Sequence, residues 1–246
     1  MRGMESVRVL NLRVDLVSMA DTLGYIEQAI ADRSSPRHLV TADASMVITA
    51  RQDRELKAIV DNADLVTPDG AGILWHSRLL GRSIKHKVSG VDLVSEVCRL
   101  SSEKDYRVYF LGAAPGVAEA AAENLRARYP GAQIVGTRDG YFKPEDEPTI
   151  VGDIRAARAD VLFVAFGIPK QEKWISKYKA ELNVPISAGI GGSFDVYSGK
   201  VKRAPLFMQR HGFEWLYRLW SNPRKIGKVM TLPKFAWLTI RERIVS

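Results

Sequence analysis

The stretch Val161-Leu-Phe-Val-Ala-Phe-Gly-Ile-Pro-Lys-Gln-Glu-Lys-Trp174 decides the fold. Its first six residues are apolar without alternation. A strand with one wet face alternates apolar and polar residues, so an unbroken run is expected where helices cover both faces of a parallel sheet. Gly167 and Pro169 then stop the strand, and a helix-length segment follows. Apolar runs of strand length recur at Val7–Leu10, His38–Thr41, Asp64–Thr67, Arg107–Leu111, Gln133–Gly136 and Val184–Ser187, with helix-length segments between them. Ser18 and Asp21 form a capping-box pattern ahead of Leu23, Ile26 and Ile30. Pro115 stands where a first-turn proline belongs, before the alanine-rich Val117–Arg128. The β-α rhythm predicts an α/β fold, a Rossmann-like doubly wound, mostly parallel sheet.

That rhythm stops after Gly192. Lys200-Val-Lys-Arg-Ala-Pro205 reads as a basic connector, and Leu206–Leu219, Pro223–Met230 and Pro233–Ile244 read as helices. The expected division is therefore a body over 1–199 and a helical appendage over 200–246. Charge follows the same division. The 246 residues carry a net charge of +8, yet the body holds 25 basic and 26 acidic residues. The appendage has 11 Lys and Arg against Glu214 and Glu242, and three of the five tryptophans (Trp215, Trp220, Trp237). A neutral body with a basic, aromatic end suits a polyanionic partner, either nucleic acid or an anionic membrane surface.

Other classes are excluded by composition. A hydrophobic fraction of 46% excludes a disordered chain. The single cysteine, Cys98, sits in an apolar helical pattern with Val94, Val97 and Leu100; it excludes a disulfide framework and a Cys-based zinc cluster. The four histidines have no metal-ligand spacing. No apolar stretch approaches the ~18–20 residues of a membrane span, and the N-terminus lacks a signal-peptide core. The expectation is a soluble, cytoplasmic protein.

In an open α/β sheet, ligands bind beyond the carboxyl ends of the strands. That rule selects Thr41-Ala-Asp43, Thr67-Pro-Asp69-Gly70, Gly112-Ala-Ala-Pro-Gly116, Gly167-Ile-Pro-Lys-Gln171-Glu172 and Gly189-Ile-Gly-Gly192-Ser-Phe-Asp195. Glycine turns and aspartates on one rim suit a phosphate-bearing ligand. Gly112–Gly116 is neither the G-x-G-x-x-G fingerprint nor a P-loop, which weakens an NAD reading. Asp43 is as well placed to cap a helix through Met46 and Val47 as to meet a ligand. Asp69, pinned between Pro68 and Gly70, is equally consistent with turn chemistry and with a carboxylate facing a cleft. There is no Asp-x-Asp, so an enzyme cleaving a nucleotide-sugar here would rely on cations and backbone N–H groups to stabilise the departing diphosphate.

Taken together, these loops resemble the WecG/TagA/CpsF glycosyltransferases (glycosyltransferase family 26). The matching segments are Leu39–Asp43, Ala63–Gly72, Val88–Asp92, Phe110–Gly116, Gly140–Phe142, Phe166–Trp174, Gly189–Asp195, Arg203–Pro205 and Glu214-Trp-Leu-Tyr-Arg218-Leu. The resemblance implies an inverting transferase with no metal and no cofactor. It implies transfer of a sugar, typically of the N-acetylmannosamine type, from UDP to a lipid-linked GlcNAc diphosphate at the cytoplasmic membrane face. The product would enter teichoic acid or another surface polysaccharide. By the same resemblance Asp69 is the general base, and Thr41 and Gln171 belong to the sugar pocket. Asp43 stands where the family usually has Asn, and Lys87 where it has Arg.

Lys87, the backbone at Gly191 and Gly192, and tail arginines are the candidates to hold the leaving UDP, with Asp195 a candidate for the uridine. Arg218, Arg224, Lys225 and Lys228 are candidates for the acceptor diphosphate and anionic headgroups, with Trp215, Trp220, Phe235 and Trp237 as interfacial aromatics. This makes the expected protein a peripheral one on the inner membrane face, and leaves a homo-oligomer open. Two other readings compete: nucleic-acid binding through the tail, and a Rossmann-like NAD-dependent oxidoreductase. The first leaves the clustered Asp and Gly loops unexplained.

Overall fold

The computed structural model describes residues 4–82, 84–205, 207–208, 214, 216–217 and 231–245. It begins with an antiparallel hairpin, β1 (Ser6–Val9) and β2 (Leu12–Asp15). Leu10 and Asn11 turn it with φ of 46° and 72°, the left-handed geometry a tight two-residue hairpin turn requires. There follow α1 (Met19–Asp32), β3 (Arg37–Ala42), α2 (Ala44–Ala50), α3 (Arg54–Asp61), β4 (Leu65–Pro68), α4 (Gly70–Leu79) and α5 (Gly90–Lys104). Next come β5 (Val108–Gly112), α6 (Val117–Arg128), β6 (Ile134–Arg138), α7 (Glu147–Ala156), β7 (Val161–Ala165), α8 (Lys170–Leu182), β8 (Ile186–Gly189) and α9 (Ser193–Tyr197). The final described helix is α10 (Thr231–Val245).

Six strands form one parallel sheet in the order β4-β3-β8-β7-β5-β6. Successive strand residues point to opposite faces, and both faces are covered. Leu39, Leu65, Phe110, Phe163 and Ala188 meet Ile26, Val94, Leu125 and Phe194 from α1, α5, α6 and α9. Val40 and Val66 meet Met46 and Leu56 of α2 and α3 on the other face. Leu111 and Val164 meet Ile154 and Ile175 of α7 and α8 on that same face. This is why the strands read as unbroken apolar runs.

The same layering opens the site. Leaving β3 and β7, the chain enters α2 and α8 on one face; leaving β8 and β5, it enters α9 and α6 on the other. β8 lies between β3 and β7, and β7 between β8 and β5. Crevices therefore open at three successive strand pairs on the carboxyl rim.

Two elements differ from the sequence expectation. The run at Val7–Leu10 is not part of the parallel sheet. It pairs with β2, a strand the periodicity passed over. The hairpin instead seals the β4 edge through Asp15, whose fully buried carboxylate accepts from the Val66 N–H at 2.8 Å and pairs with Arg13 at 2.8 Å. A buried carboxylate thus supplies the acceptor an edge strand lacks. In the tail, the expected helix over Pro233–Ile244 is α10. The expected helices over 206–219 and 223–230 fall outside the described residues, apart from helical positions at 207–208, 214 and 216–217.

α10 packs on α2 and α4. Phe235, 2% exposed, lies over the His76 ring at 5.9 Å. Glu242 meets His76 Nε2 at 3.0 Å and Arg82 at 2.8 Å. Burial lowers the His76 pKa and outweighs the opposing carboxylate. A carboxylate can only accept, so Nε2 carries the hydrogen of this bond to Glu242.

Candidate functional site

Asp69 occupies the cap position of α4, but its side chain makes no capping bond to that helix. Its N–H donates to the Ala42 carbonyl at 2.8 Å, and Gly70 follows at φ +82°, a sharp turn that glycine permits. The half-buried carboxylate turns to the next helix, where Oδ2 accepts from the Gly90 N–H at 3.3 Å. Gly90 opens the 15-residue α5, whose positive end favours an anion at that place. Lys87 adjoins the same turn, because the Val88 N–H donates to the Pro68 carbonyl at 2.8 Å.

Thr41 is buried, and its Oγ1 donates to the Gly189 carbonyl at 2.8 Å, joining the ends of β3 and β8. Asp43 caps α2: its Oδ1 accepts from the Met46 N–H at 2.8 Å. A Cβ placed on Gly70 would stand 4.0 Å from the Asp43 Cβ, so the two aspartate turns are neighbours. The rim reading thus brings Thr41, Asp43, Asp69 and Lys87 together around the ends of β3 and β4.

Gln171 joins two further loops to this group. It is 1% exposed. Its Oε1 accepts from the N–H groups of Gly167 and Gly191, both at 3.0 Å, and its Nε2 donates to Glu172 at 2.7 Å. A Cβ at Gly189 would lie 2.5 Å from Nε2, so the amide fills the space beside β8. Gly191, at φ +55°, and Gly192 carry the chain from β8 into α9, where Asp195 is half-buried. Lys87 lies 3.5 Å from Glu214 of the appendage. Arg203 in the connector pairs with Asp92 of α5 at 2.7 Å. Arg218, Arg224, Lys225 and Lys228 lie outside the described residues.

A cleft of about 1520 Å³ opens on the carboxyl rim, but not at Asp69. It lies over the ends of β5 and β7, where Ala113, Ala114, Gly140, Ala165 and Phe166 form its floor, and Asp195 is the one rim candidate on its wall. Asp69 follows β4, three strands away from β7, or roughly 14 Å at ordinary sheet spacing. A ligand in this cleft reaches Asp69 only if it extends across the ends of β8 and β3. Gly112 shapes the floor: at φ +120°, a Cβ there would stand 2.7 Å from the Ala165 backbone.

The cleft is basic. Lys173 is tied to Asp53 and Glu55, and these bonds raise its pKa. Lys177 is tied to Glu147, whose pKa burial would raise but the Lys177 and Tyr178 bonds bring down. Lys143, Lys170, Lys200 and Lys202 are exposed and form no salt bridge among the described residues. The sequence reading missed this lysine group because its members come from three separate segments. Cys98 is fully buried and its thiol is pushed up to about 12 by desolvation, a packed core thiol as its helical pattern predicts.

Residues 7–246 match the Glycosyl transferase WecG/TagA/CpsF family. A relative from Bacillus spizizenii (strain ATCC 23059 / NRRL B-14472 / W23) is 34% identical over 224 residues, covering 91% of this chain and 86% of the relative. One from Bacillus subtilis (strain 168) is 30% identical over 239 residues, covering 97% and 93%. A third, from Staphylococcus aureus (strain MW2), is 30% identical over 232 residues, covering 94% and 91%. All three are named N-acetylglucosaminyldiphosphoundecaprenol N-acetyl-beta-D-mannosaminyltransferase.

Proposed function

This chain belongs to the WecG/TagA/CpsF glycosyltransferase family, and from that footing we propose that it moves an N-acetylmannosamine-type sugar from UDP to an N-acetylglucosaminyl-diphosphoundecaprenol. The relatives' shared name supports the sugar and the acceptor. The observation that carries the reading is the turn of Asp69. Its carboxylate makes no capping bond to its own helix and accepts instead from the Gly90 N–H at the start of α5.

In this reaction the acceptor hydroxyl attacks the anomeric carbon from the side opposite the diphosphate. Asp69 takes the hydroxyl proton as the new C–O bond forms, and UDP departs with the electron pair of the breaking bond. A sugar hydroxyl is a far weaker acid than a carboxylic acid, so proton transfer accompanies bond formation rather than preceding it. General-base assistance of this kind is worth ~10²–10⁴-fold. The nucleotide lies in the basic cleft, its diphosphate crosses the end of β8 beside Gly191 and Gly192, and its sugar reaches Thr41, Asp43 and Asp69. Lys87 exchanges Glu214 for the diphosphate, which offers more negative charge.

Residues 200–246 act in this proposal as the acceptor-facing appendage, with Arg218, Arg224, Lys225 and Lys228 meeting the lipid diphosphate. α10 supports a seat on an anionic membrane. Its inner stripe is docked, while Trp237, Ile240 and Ile244 stand 59%, 48% and 78% exposed on the opposite side. Lys234, Arg241 and Arg243 flank them, and Arg241 lies over the Trp237 ring at 5.6 Å. Exposed apolar side chains bordered by cations suit the headgroup boundary. No helix among the described residues is long and apolar enough to cross a membrane.

The test is Asp69→Asn. Turnover with UDP-N-acetylmannosamine and a synthetic GlcNAc-diphosphate lipid should fall ~10²–10⁴-fold, with UDP affinity nearly unchanged. Unchanged turnover would remove Asp69 as the base. An equal loss of UDP binding would reassign it to donor recognition.

A further inference from the structure

Arg203 ties the basic connector to the helix start that receives Asp69. Its Nη2 lies 2.7 Å from Asp92 Oδ1, and the other oxygen of Asp92 accepts from Ser89 Oγ at 2.6 Å. Ser89 Oγ in turn accepts from the Asp92 N–H at 3.2 Å, the capping bond of α5. The residue after Ser89 is Gly90, whose N–H Asp69 Oδ2 accepts. Arg203, Asp92 and Ser89 thus form one bonded series that ends one residue from the donor to Asp69.

The start of α5 is enclosed on two further sides. The Val88 N–H donates to the Pro68 carbonyl at 2.8 Å. A Cβ on Gly90 would stand 3.2 Å from the Ile190 carbonyl oxygen and 3.3 Å from Ser193 Oγ. The helix start therefore sits between the β4–α4 turn and the β8–α9 turn, and Arg203 bonds it from the connector. The connector is itself fixed: Ala204 is buried, and the Val201 N–H donates to the Asp195 carbonyl at 2.8 Å. The bond it supports is a sensitive one. At 3.3 Å, Gly90 to Asp69 lies at the long end of N–H···O distances, so a small displacement of Gly90 loses it.

We infer that Arg203 is a positioning residue of the transferase: through Asp92 and Ser89 it fixes the Gly90 N–H that orients the Asp69 carboxylate. The inference rests on Asp69 being the base, as proposed above, and adds a link from the connector to that base. Arg203 is committed to Asp92, whereas Lys200 and Lys202 of the same connector line the cleft. Its cation also balances the Asp92 charge on the helix turn that receives Asp69. Without it, the lost N–H bond and the unbalanced carboxylate both favour the protonated form of Asp69.

Arg203→Gln and Asp92→Asn test this beside the wild type and Asp69→Asn, with UDP-N-acetylmannosamine and a synthetic GlcNAc-diphosphate lipid as substrates. Each of the first two should lower kcat about ten- to a hundredfold, the scale of a misplacement of ~1 Å, and leave calorimetric UDP affinity unchanged. The acid limb of kcat/KM, along which Asp69 ionises, should move to higher pH. Asp43 and Lys87, the charged groups beside the Asp69 turn, and Glu214 on Lys87 are the same in all these proteins. Arg203→Lys, which keeps the cation, should retain more turnover than Arg203→Gln. Added to Asp69→Asn, Arg203→Gln should lower kcat no further, because the carboxylate it positions is gone. A wild-type kcat and pH profile in Arg203→Gln, or an undiminished further loss in the Asp69→Asn background, overturns the inference and leaves Asp69 as the base. A weakened UDP affinity overturns it too, and makes Arg203 a donor contact. Wild-type turnover in Asp69→Asn ends both readings. Should Arg203→Gln fail to fold, Asp92→Asn runs the same comparisons from the other side of the ion pair.

Discussion

Replacing Gln171 by alanine would test whether this amide holds the rim together or chiefly contacts the sugar. Alanine removes the acceptor for two N–H groups, Gly167 and Gly191, and the donor to Glu172. The glycine turns are only partly buried, so water recovers some of the loss there. Each such bond contributes ~0.5–1.5 kcal/mol, and one to a charged group ~1.5–3 kcal/mol. Glu172 is fully buried, which places its bond in the upper class. The total is about 3–5 kcal/mol. For a chain of this size ~2–4 °C of melting temperature accompanies each kcal/mol, so the variant should melt roughly 10 °C below the wild type. Differential scanning calorimetry, with reversibility checked by a second scan, measures it. A melting temperature within about 2 °C of the wild type, accompanied by a raised KM for the donor, would refute the structural role and make Gln171 a substrate contact.

Phe235→Ala should detach α10 from His76 and Gly72. Truncating a buried phenylalanine costs ~3–5 kcal/mol, enough to undock a single helix, so limited proteolysis should cleave the chain's end many times faster; an unchanged cleavage rate would mean the docking does not depend on this ring. His38 makes stability depend on pH. It is buried in β3 and desolvation lowers its pKa from 6.5 to about 4, so between those values the unfolded chain binds the extra proton. Its contribution is complete above pH 6.5 and is lost as pH falls toward 4, by up to ~3 kcal/mol. Urea unfolding across that window should show the slope in the wild type and a shallower one in His38→Gln; identical slopes would assign the acid sensitivity to other groups.

Individual strands were legible because burial on both faces leaves a mark that needs no knowledge of the partner. Val161–Ala165 is apolar throughout since α1-side and α8-side layers both cover it, and His38, Asp64, Arg107 and Gln133 mark the polar entries of other strands. The capping box at Ser18 and Asp21 was equally local: both halves of the bond lie within four residues. β2 was not legible. Arg13 and Asp15 break its apolar pattern, and their reason for being there, an acceptor for Val66 on a strand fifty-one residues later, exists only after folding. Asp43 shows the same limit in the site. Capping and ligand contact draw on the same residue type, and only the bond to Met46 tells which role one of its oxygens takes.

The chain's sequence by itself determined the alternation of covered strands and helices, the rim positions of Thr41, Asp69 and Gln171, and the concentration of positive charge after residue 199. Those properties follow from periodicity, glycine turns and composition, which are local. The tertiary structure decided which rim loops meet. The order β4-β3-β8-β7 sets Thr41 against Gly189 and places Gln171 between Gly167 and Gly191, while the basic cleft opens three strands from Asp69. Parallel strands are joined by long crossovers, so a strand's neighbours in the sheet are not its neighbours in the chain. A site built at their ends is therefore assembled by topology.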